Sequence, residues 1–390
     1  MMKKSIFAVA VASVLTLGAA QAETVLYGSI RYDYESKKVQ KMDDSEKGIK
    51  RLTSNRVSNL NDAGSRIGLK GSEDLGNNNA VIYNLEWGFD GMAQDEKNDS
   101  KWNTRKAILG LTGDWGTITA GRQDNPFKVT IVDDSVIDGF NGGSYIFSSA
   151  AQRAMTTILT GAGNAYLNED GSNDEEAYID SITKADFSRV GKVIAYTTPD
   201  FAGFQANAAI MMDSNLYPAN GEKNIDLWTL NAKYAYDLGA NGTILAKAGY
   251  IQGKVSGNKN KSKAWGLFLG YSQDAFAVTA SYADGNYKDK LINTDESSKE
   301  KSKGWDVGAS FSFGPNYFST VRAAYGENQL KVANQEGKDK VKSWAVGFEQ
   351  KLSTRTRAWV EYGAEETKFA EKGSDKKKDN VVSIGMRHDF

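Results

Sequence analysis

Several residue types that support common chemistries are scarce or missing from this chain. Its 390 residues include no cysteine and a single histidine, His388. The lack of cysteine excludes a disulfide framework, a thiol nucleophile and thiolate metal ligands. Only four prolines accompany 39 glycines, 18 tyrosines, 16 phenylalanines and 8 tryptophans. This composition favours strands joined by tight turns over helices.

Long apolar runs are also missing after the first 22 residues. The N-terminus carries Lys3 and Lys4, then an apolar run, then a small-residue site that ends at Ala22. This order is typical of a cleavable secretory signal peptide, and the run is shorter than the roughly 20 residues that a spanning helix needs. We therefore expect residues 1–22 to be removed. No repeat or composition break divides residues 23–390, which we expect to form one domain.

An excess of charge of either sign is absent as well. The chain has 48 lysines and arginines against 49 aspartates and glutamates, a formal net charge of −1. Near-neutrality gives no electrostatic reason to expect a nucleic-acid partner.

An alternation of apolar with small or polar residues recurs through the chain after residue 22. This period of two is the signature of a β-strand. The last ten residues show it: one face is apolar or aromatic apart from the histidine, and the other is small or polar. The first face carries Val382, Ile384, Met386, His388 and Phe390. We count sixteen such segments.

The connections between these segments alternate between two kinds. Seven are short and turn-like, such as GDWG (113–116) and STRT (353–356), and the others are long and charged, such as 36–61 and 285–303. A soluble sandwich also has alternating strands, but it gives no reason for short and long connections to take turns. An even-numbered antiparallel barrel across a membrane does, because its two ends face different compartments. Closure also removes the unpaired edges that lipid would not tolerate.

The predicted fold is therefore all-β, a 16-stranded antiparallel transmembrane β-barrel with short periplasmic turns and long outer loops. Aromatic residues cluster at the segment ends, as interfacial girdles require. A barrel of sixteen strands is wide enough to leave an aqueous channel. The geometry predicts a pore.

Five segments resemble one family, the general diffusion porins of Gram-negative outer membranes, and most closely its neisserial-type trimeric members. They are LYGSI (26–30), GSRIGLKGSEDLG (64–76), RKAILGLTGDWGTITAGRQ (105–123), RVGKVIAYTTPDFAGF (189–204) and GMRHDF (385–390). The resemblance implies a homotrimer in the outer membrane, in contact with lipid and lipopolysaccharide and without a cofactor. It also implies passive diffusion of ions and small hydrophilic solutes past a third outer loop that folds into the channel.

The resemblance further implies a charged constriction, which would select solutes by size and electrostatic potential. The family's constriction arginines correspond to Arg66, Arg105 and Arg189. Strand alternation supports the inward position of Arg66, with Lys70 on the same face, and of Arg189. Both faces around Arg105 are apolar, so its assignment rests on the resemblance.

Further candidates lie on the same wall and on the third outer loop. Arg31 and Arg122 are additional wall candidates. The loop, roughly 125–187, is far longer than an ordinary connection and has room to pack inside the barrel. Its stretch TIVDDSVIDGF offers three acids that would face the arginines: Asp133, Asp134 and Asp138. The alternative is that these acids form a solvated run on an exposed loop.

The C-terminal strand resembles the signal that the outer-membrane barrel assembly machinery recognises. That signal consists of a terminal aromatic residue and alternate apolar positions, which correspond to Phe390, Met386, Ile384 and Val382. His388 shares this face, so we interpret it as a residue of the periplasmic interface and not as a catalytic base or a metal ligand.

Two other classes of function stay open at this point. An outer-membrane enzyme would need a nucleophile or water with a positioned base, usually histidine, which this sequence hardly supplies. An adhesin or receptor barrel would act through its long loops and would have a plugged or narrow pore without conductance. A substrate-selective porin with an internal binding site is a variant of the porin prediction.

Overall fold

The structure, a computed structural model, describes residues 23–43, 48–93, 102–142, 189–212, 227–254, 261–288, 299–331 and 336–390. The predicted signal peptide, residues 1–22, lies outside the described residues, as do residues 143–188 of the third outer loop.

Sixteen antiparallel strands form the wall, and the second is interrupted once. They are β1 Glu23–Lys38, β2 in two segments Val57–Asp62 and Arg66–Gly76, β3 Asn79–Phe89, β4 Trp102–Gly113, β5 Gly116–Asp124, β6 Arg189–Thr197, β7 Phe204–Met211, β8 Leu227–Asp237, β9 Thr243–Lys254, β10 Lys261–Gln273, β11 Phe276–Lys288, β12 Lys299–Phe313, β13 Ser319–Lys331, β14 Asp339–Lys351, β15 Thr356–Lys368 and β16 Lys377–Asp389. The first outer loop adds a two-residue ladder between Met42–Asp43 and Lys50–Arg51.

The helical elements among the described residues are short. They are the α-helix α1, Pro126–Ile131, and 3₁₀ turns at Ile137–Gly139, Gly239–Asn241 and Pro315–Tyr317. No helix in the described part of the chain is long and apolar enough to cross a membrane.

The sheet closes on itself between the first and last strands. β1 pairs with β16 from Ser29 opposite Asp389 to Lys38 opposite Asn380. Gly28 and Phe390 extend this seam with reciprocal backbone hydrogen bonds of 3.0 and 3.1 Å. A Cβ atom on Gly28 would lie 2.5 Å from the Phe390 ring, so the ring covers this glycine. The predicted closed barrel of sixteen strands is confirmed.

The two faces of each strand differ as the alternation predicts. Ile384 and Met386 of β16 are about half exposed on the outer face, whereas Ser383 is buried on the inner face and donates to Asp33 at 2.6 Å. Four tryptophan–tyrosine pairs recur at one level of neighbouring strands, with ring centroids 5.1 to 5.7 Å apart, as in the aromatic girdles of membrane barrels. The pairs are Trp228–Tyr250, Trp265–Tyr282, Trp305–Tyr325 and Trp344–Tyr362.

The seven short connections lie where the sequence predicts them. The first is a two-residue turn at Asn77 and Asn78, with φ angles of 52° and 59°. Positive φ at both positions gives the backbone twist that tight hairpins need, and asparagine tolerates it better than most residues. All seven lie at the end of the barrel that carries Phe390, which is the periplasmic end in this architecture.

Candidate channel constriction

The third outer loop enters the barrel directly after β5. Asn125 caps α1 by accepting the backbone N–H of Phe127 at 3.0 Å. Phe127 and Ile131 are fully buried. Their side chains approach Gly249 of β9 and Gly266 of β10 so closely that added Cβ atoms would lie 3.1 and 2.9 Å away. Glycine at these two wall positions lets α1 pack flat against the inside of the barrel.

The rest of the described loop continues along the inner wall to the last strands. The backbone N–H of Val136 donates to Thr279 of β11 at 2.9 Å. Phe140 packs against Ala345 of β14 and Val381 of β16. Residues 125–142, which we call the infolded segment, therefore line the half of the wall from β8 to β16.

A buried lysine of β9 anchors the start of the infolded segment. The Lys247 side chain is 4% exposed, and its Nζ donates to the Val129 carbonyl at 3.3 Å and to the Asp133 carbonyl. The same Nζ lies 3.0 Å from Asp134 Oδ2 and 4.4 Å from the centroid of the Phe268 ring. Charge-assisted bonds to carbonyls and a carboxylate satisfy a cation that would otherwise be costly to bury.

A buried glutamate of β15 anchors the end of the segment. Glu361 accepts the backbone N–H of Asn141 at 2.9 Å and that of Gly142 at 2.6 Å. The Glu361 carboxylate also lies 3.5 Å from the Arg322 guanidinium. The same guanidinium lies 3.5 Å from the carboxylate of the neighbouring Glu349. A cation at one end and an anion at the other thus hold the infolded segment to the wall.

The inner wall opposite this segment carries a cluster of basic side chains around Glu86 of β3. Arg105 Nε lies 2.6 Å and Arg66 Nε 3.9 Å from the Glu86 carboxylate. Tyr27 donates to the same carboxylate at 3.1 Å, and Lys70 lies 5.4 Å from the centroid of the Tyr27 ring. The structure therefore brings together the predicted residues Arg66, Arg105 and Lys70.

Arg31 and Arg189 extend the basic cluster on both sides. Arg31 lies within electrostatic range of Arg66, Arg105 and Arg387. Its Nη2 is buried without a hydrogen-bond partner among the described residues. Arg189 lies 3.5 Å from Asp124, which also pairs with Lys106 at 2.6 Å.

A β-bulge explains why strand alternation fails around Arg105. The register between β3 and β4 shifts between Glu86 and Trp87, which pair with Lys106 and Thr104. Arg105 is the extra residue, so Arg105 and Lys106 both form ion pairs on the inner side. Sequence reasoning missed Lys106 because no residue type in this stretch marks the bulge.

Arg122 lies apart from the basic cluster. It pairs with Ala107 of β4, which shares a face with the exposed Leu109, and its Nε donates to the Thr104 carbonyl at 2.7 Å. Arg387, which we did not single out, lies instead among the inner residues and bonds Asp389 at 2.5 Å. The sequence signal for this inner position is that Arg387 lies between Met386 and His388 and therefore on the other face of the strand.

The three loop acids have different surroundings. Asp134 is held by Lys247. Asp133 pairs with Lys128 of α1, a cation that sequence reasoning also missed. Asp138 is the most exposed of the three, with 48% of its side chain accessible, and lies 3.9 Å from Lys128.

Burial and neighbouring charges shift the pKa values of both Lys128 and Asp133. Burial raises the pKa of Asp133 to about 6, and the neighbouring Asp138 charge adds to this although Lys128 opposes it. Burial alone would lower the pKa of Lys128, but the carboxylates of Asp133 and Asp138 outweigh it and raise that pKa.

His388 has surroundings that suit an interfacial residue. It is exposed on the outer face, and its Nδ1 lies 2.9 Å from Thr356 Oγ1. Among the described residues no group of three or more histidines, aspartates and glutamates is arranged to hold a metal ion.

A closed barrel with an apolar outer surface, a charged interior and a loop packed inside the lumen defines a transmembrane diffusion channel. Residues 8–370 match the family model described as Gram-negative porin, and the chain belongs to that family. It forms a water-filled diffusion channel in the outer membrane.

Curated relatives agree with this family, and a solved structure agrees with the fold. The major outer membrane protein P.IB of Neisseria lactamica is 28% identical, and the alignment covers 100% of both chains. An outer membrane porin protein of Bordetella pertussis is 26% identical, again over 100% of both chains. The structure of an anion-selective porin from Comamonas acidovorans has a TM-score of 0.65 at 19% identity and covers 95% of this chain and 100% of its own.

Proposed function

We propose that this porin selects ions and small hydrophilic solutes at a constriction between a wall cluster and the infolded segment. The wall cluster consists of Arg31, Arg66, Lys70, Arg105 and Arg189, on β1, β2, β4 and β6. The observation that carries the proposal is the anchoring of residues 125–142 to the wall from β8 to β16, which faces those strands. Arg122 is left out because it follows the outer face of β5.

The three loop acids have different roles in this proposal. Asp138 and Asp133 face the wall cluster and set the negative side of the constriction. Asp134 positions the segment through Lys247 and contributes less to the field that a solute meets. A charged side chain in a narrow, partly desolvated passage changes the local concentration of ions of each sign.

We further propose that residues 1–22 are removed on export and that the mature chain assembles as a homotrimer. Trimeric assembly is supported by one structural relative, OmpT of Vibrio cholerae, whose in-vitro folded protein has a trimer form. The mass of the single chain extracted from outer membranes tests the removal of residues 1–22, and the mass of the native assembly tests the homotrimer. The membrane partners in this proposal are outer-membrane lipid, lipopolysaccharide and the barrel assembly machinery.

We propose no catalytic activity. The chain has no cysteine, and its one histidine is exposed on the outer face beside Thr356. An aqueous lumen lined by paired charges serves passage of solutes, whereas hydrolysis needs a nucleophile with a positioned base.

Acidification tests the place of Asp133 in the constriction. Because its pKa is raised to about 6, Asp133 is ionised at about pH 7.5 and protonated at about pH 5. Its protonation removes a negative charge beside Lys128, so the permeability of anions relative to cations should rise as the pH falls through 6. Reversal potentials in a salt gradient at the two pH values measure this change.

The matched control for this pH effect is Asp133→Asn. It keeps every other acidic and basic side chain and should abolish most of the shift. A shift of unchanged size in Asp133→Asn channels would place the titrating group elsewhere.

The C-terminal strand gives a second prediction, on assembly. Deleting Phe390 removes the ring over Gly28 and both backbone bonds that extend the seam. We expect most of the deleted protein to fail to reach the outer membrane as a folded barrel, measured by the heat-modifiable band in membrane fractions.

His388→Tyr is the control for the Phe390 deletion. It alters the same exposed face but leaves the seam intact, so it should assemble and conduct like the unaltered protein. Loss of conductance in a correctly assembled His388→Tyr channel would contradict the interfacial role of His388.

A further inference from the structure

Three arginines lie side by side on the inner face of the seam where the barrel closes. Arg31 belongs to β1, Arg387 to β16 and Arg357 to β15. The strand register places Arg31 directly opposite Arg387, and Arg387 directly opposite Arg357. Residues in such positions have Cβ atoms about 4.5–5.5 Å apart, and like charges at this spacing destabilise the pairing. We call these three residues the arginine row.

A single carboxylate lies close to all three arginines of the row. Asp389 Oδ1 is 2.5 Å from Arg387 Nε, and Asp389 Oδ2 is 3.4 Å from Arg357 Nη2. The same carboxylate lies within electrostatic range of Arg31. One negative charge is therefore divided among three positive charges.

The other nearby groups do not make up the difference. Glu349 lies 3.8 Å from Arg357, but its carboxylate is also 3.5 Å from Arg322. Among the described residues Arg31 forms no ion pair, and its Nε donates to the neutral Ser29 hydroxyl at 2.9 Å. The arginine row therefore has a surplus of positive charge.

Two donor groups of the row are also left over. Arg31 Nη2 and Arg357 Nε are buried without a hydrogen-bond partner among the described residues. A buried donor without a partner costs stability, and a charged donor costs more than a neutral one. The side chains of Arg357 and Arg387 are still 24% and 21% accessible, so an ion in the lumen can reach the row.

We propose that the arginine row binds one small oxyanion with two negative charges, of the class of inorganic phosphate and sulfate. Guanidinium groups bind such oxyanions through paired N–H bonds, which are stronger than bonds to a neutral acceptor. A tetrahedral dianion has oxygen acceptors for the unused donors of Arg31 and Arg357, and it offsets the surplus charge.

The position of the row gives the bound anion a structural role. Strands β1 and β15 flank β16 and are about 10 Å apart, so their arginines can meet at an ion that lies over Arg387. The anion would then link the first strand of the barrel to the last two. This role is independent of solute selection at the constriction.

Equilibrium dialysis of the purified channel against radiolabelled inorganic phosphate tests the site. The channel is kept in a phosphate-free detergent at mildly alkaline pH, where phosphate is mainly a dianion. We expect one phosphate bound per chain, displaced by sulfate but not by chloride at the same ionic strength. Displacement by chloride as effective as that by sulfate would overturn the proposal.

Substitutions of Arg357 locate the bound phosphate. Arg357→Gln leaves no carboxylate unpaired, because both acids beside it pair with another arginine. It should weaken phosphate binding about tenfold, the loss expected for one charge-assisted bond. Arg355→Gln is the matched control, since it removes an exposed arginine of the adjoining turn and should leave the affinity unchanged.

Arg357→Lys guards against a glutamine variant that fails to fold. It keeps a cation beside Asp389, but its ammonium group cannot form the paired bonds of a guanidinium, so its affinity for phosphate should also fall. Unchanged affinity in a folded Arg357→Gln or Arg357→Lys channel would overturn the proposal. Binding that is lost in R66Q/R189Q and kept in Arg357→Gln would place the anion at the constriction and would overturn it as well.

Thermal unfolding tests the link across the seam. A ligand that binds only the closed barrel stabilises it by mass action. The unfolding midpoint of the unaltered channel should therefore rise more in phosphate than in chloride of equal ionic strength, and this difference should shrink in Arg357→Gln but not in Arg355→Gln. A difference of the same size in all three proteins would contradict the bridging role of the anion.

Discussion

Channels that carry Lys247→Met and Glu361→Gln together are expected to show noisy currents and frequent partial closures. The two residues hold opposite ends of the infolded segment, and both side chains are almost completely buried. Removing one partner of a buried charge pair costs about 3–5 kcal/mol, so the docked population of the segment should fall sharply. The barrel itself should still form, because its backbone ladder is unaffected. Single-channel recordings in a planar bilayer measure the open-state noise and the dwell times.

An exposed ion pair on the outer surface provides the matched control. Lys376→Met with Glu366→Gln removes a lysine and a carboxylate that lie 2.6 Å apart outside the lumen. Exposed pairs of this kind contribute about 0–1 kcal/mol, so these channels should stay quiet. Quiet traces from the Lys247 and Glu361 variant as well would show that the two buried charges do not hold the segment.

The second large effect is expected from Arg66→Gln combined with Arg189→Gln, which should shift the channel toward cations. The carboxylate beside each arginine also pairs with a second cation. Glu86, beside Arg66, pairs with Arg105, and Asp124, beside Arg189, pairs with Lys106. The double variant therefore leaves no buried carboxylate unpaired and should fold. A unit charge about 8 Å from a passing ion contributes about 0.5 kcal/mol in water, which is roughly a twofold change in relative permeability for each arginine. The reversal potential in a salt gradient measures the shift.

Arg122→Gln is the control for this change of charge. It removes a positive charge from the outer face of β5, beside the Thr104 carbonyl, and should leave the reversal potential unchanged. An effect of Arg122→Gln as large as that of the double variant would contradict the division between wall cluster and outer face.

Strand alternation was sufficient to predict the barrel and the inward position of some wall residues. It placed Ile384 and Met386 on one apolar face of the last strand, which is the outer face, and the turn residues located all seven short connections. It also put Arg66 and Lys70 on one inner face. A strand across a membrane has one face toward lipid and one toward water, so the polarity of each residue indicates which face it lies on.

The contacts of the infolded segment could not be predicted in this way. The six residues of α1 are too few for a helical period, and their position depends on tertiary packing against Gly249 and Gly266. Sequence likewise does not reveal that Asp134 meets Lys247 while Asp138 stays exposed. Bulges defeat alternation because one extra residue reverses the parity of everything that follows.

We propose that the lumen is an open passage narrowed by the infolded segment and the wall cluster. Single-channel recording of the unaltered protein in a planar bilayer tests it most directly. An open, water-filled lumen should give large stepwise conductances that grow in proportion to salt concentration. A folded, inserted barrel that carried no current would contradict the open passage and favour an adhesin or receptor barrel. A conductance that one solute blocked saturably would favour a substrate-selective porin.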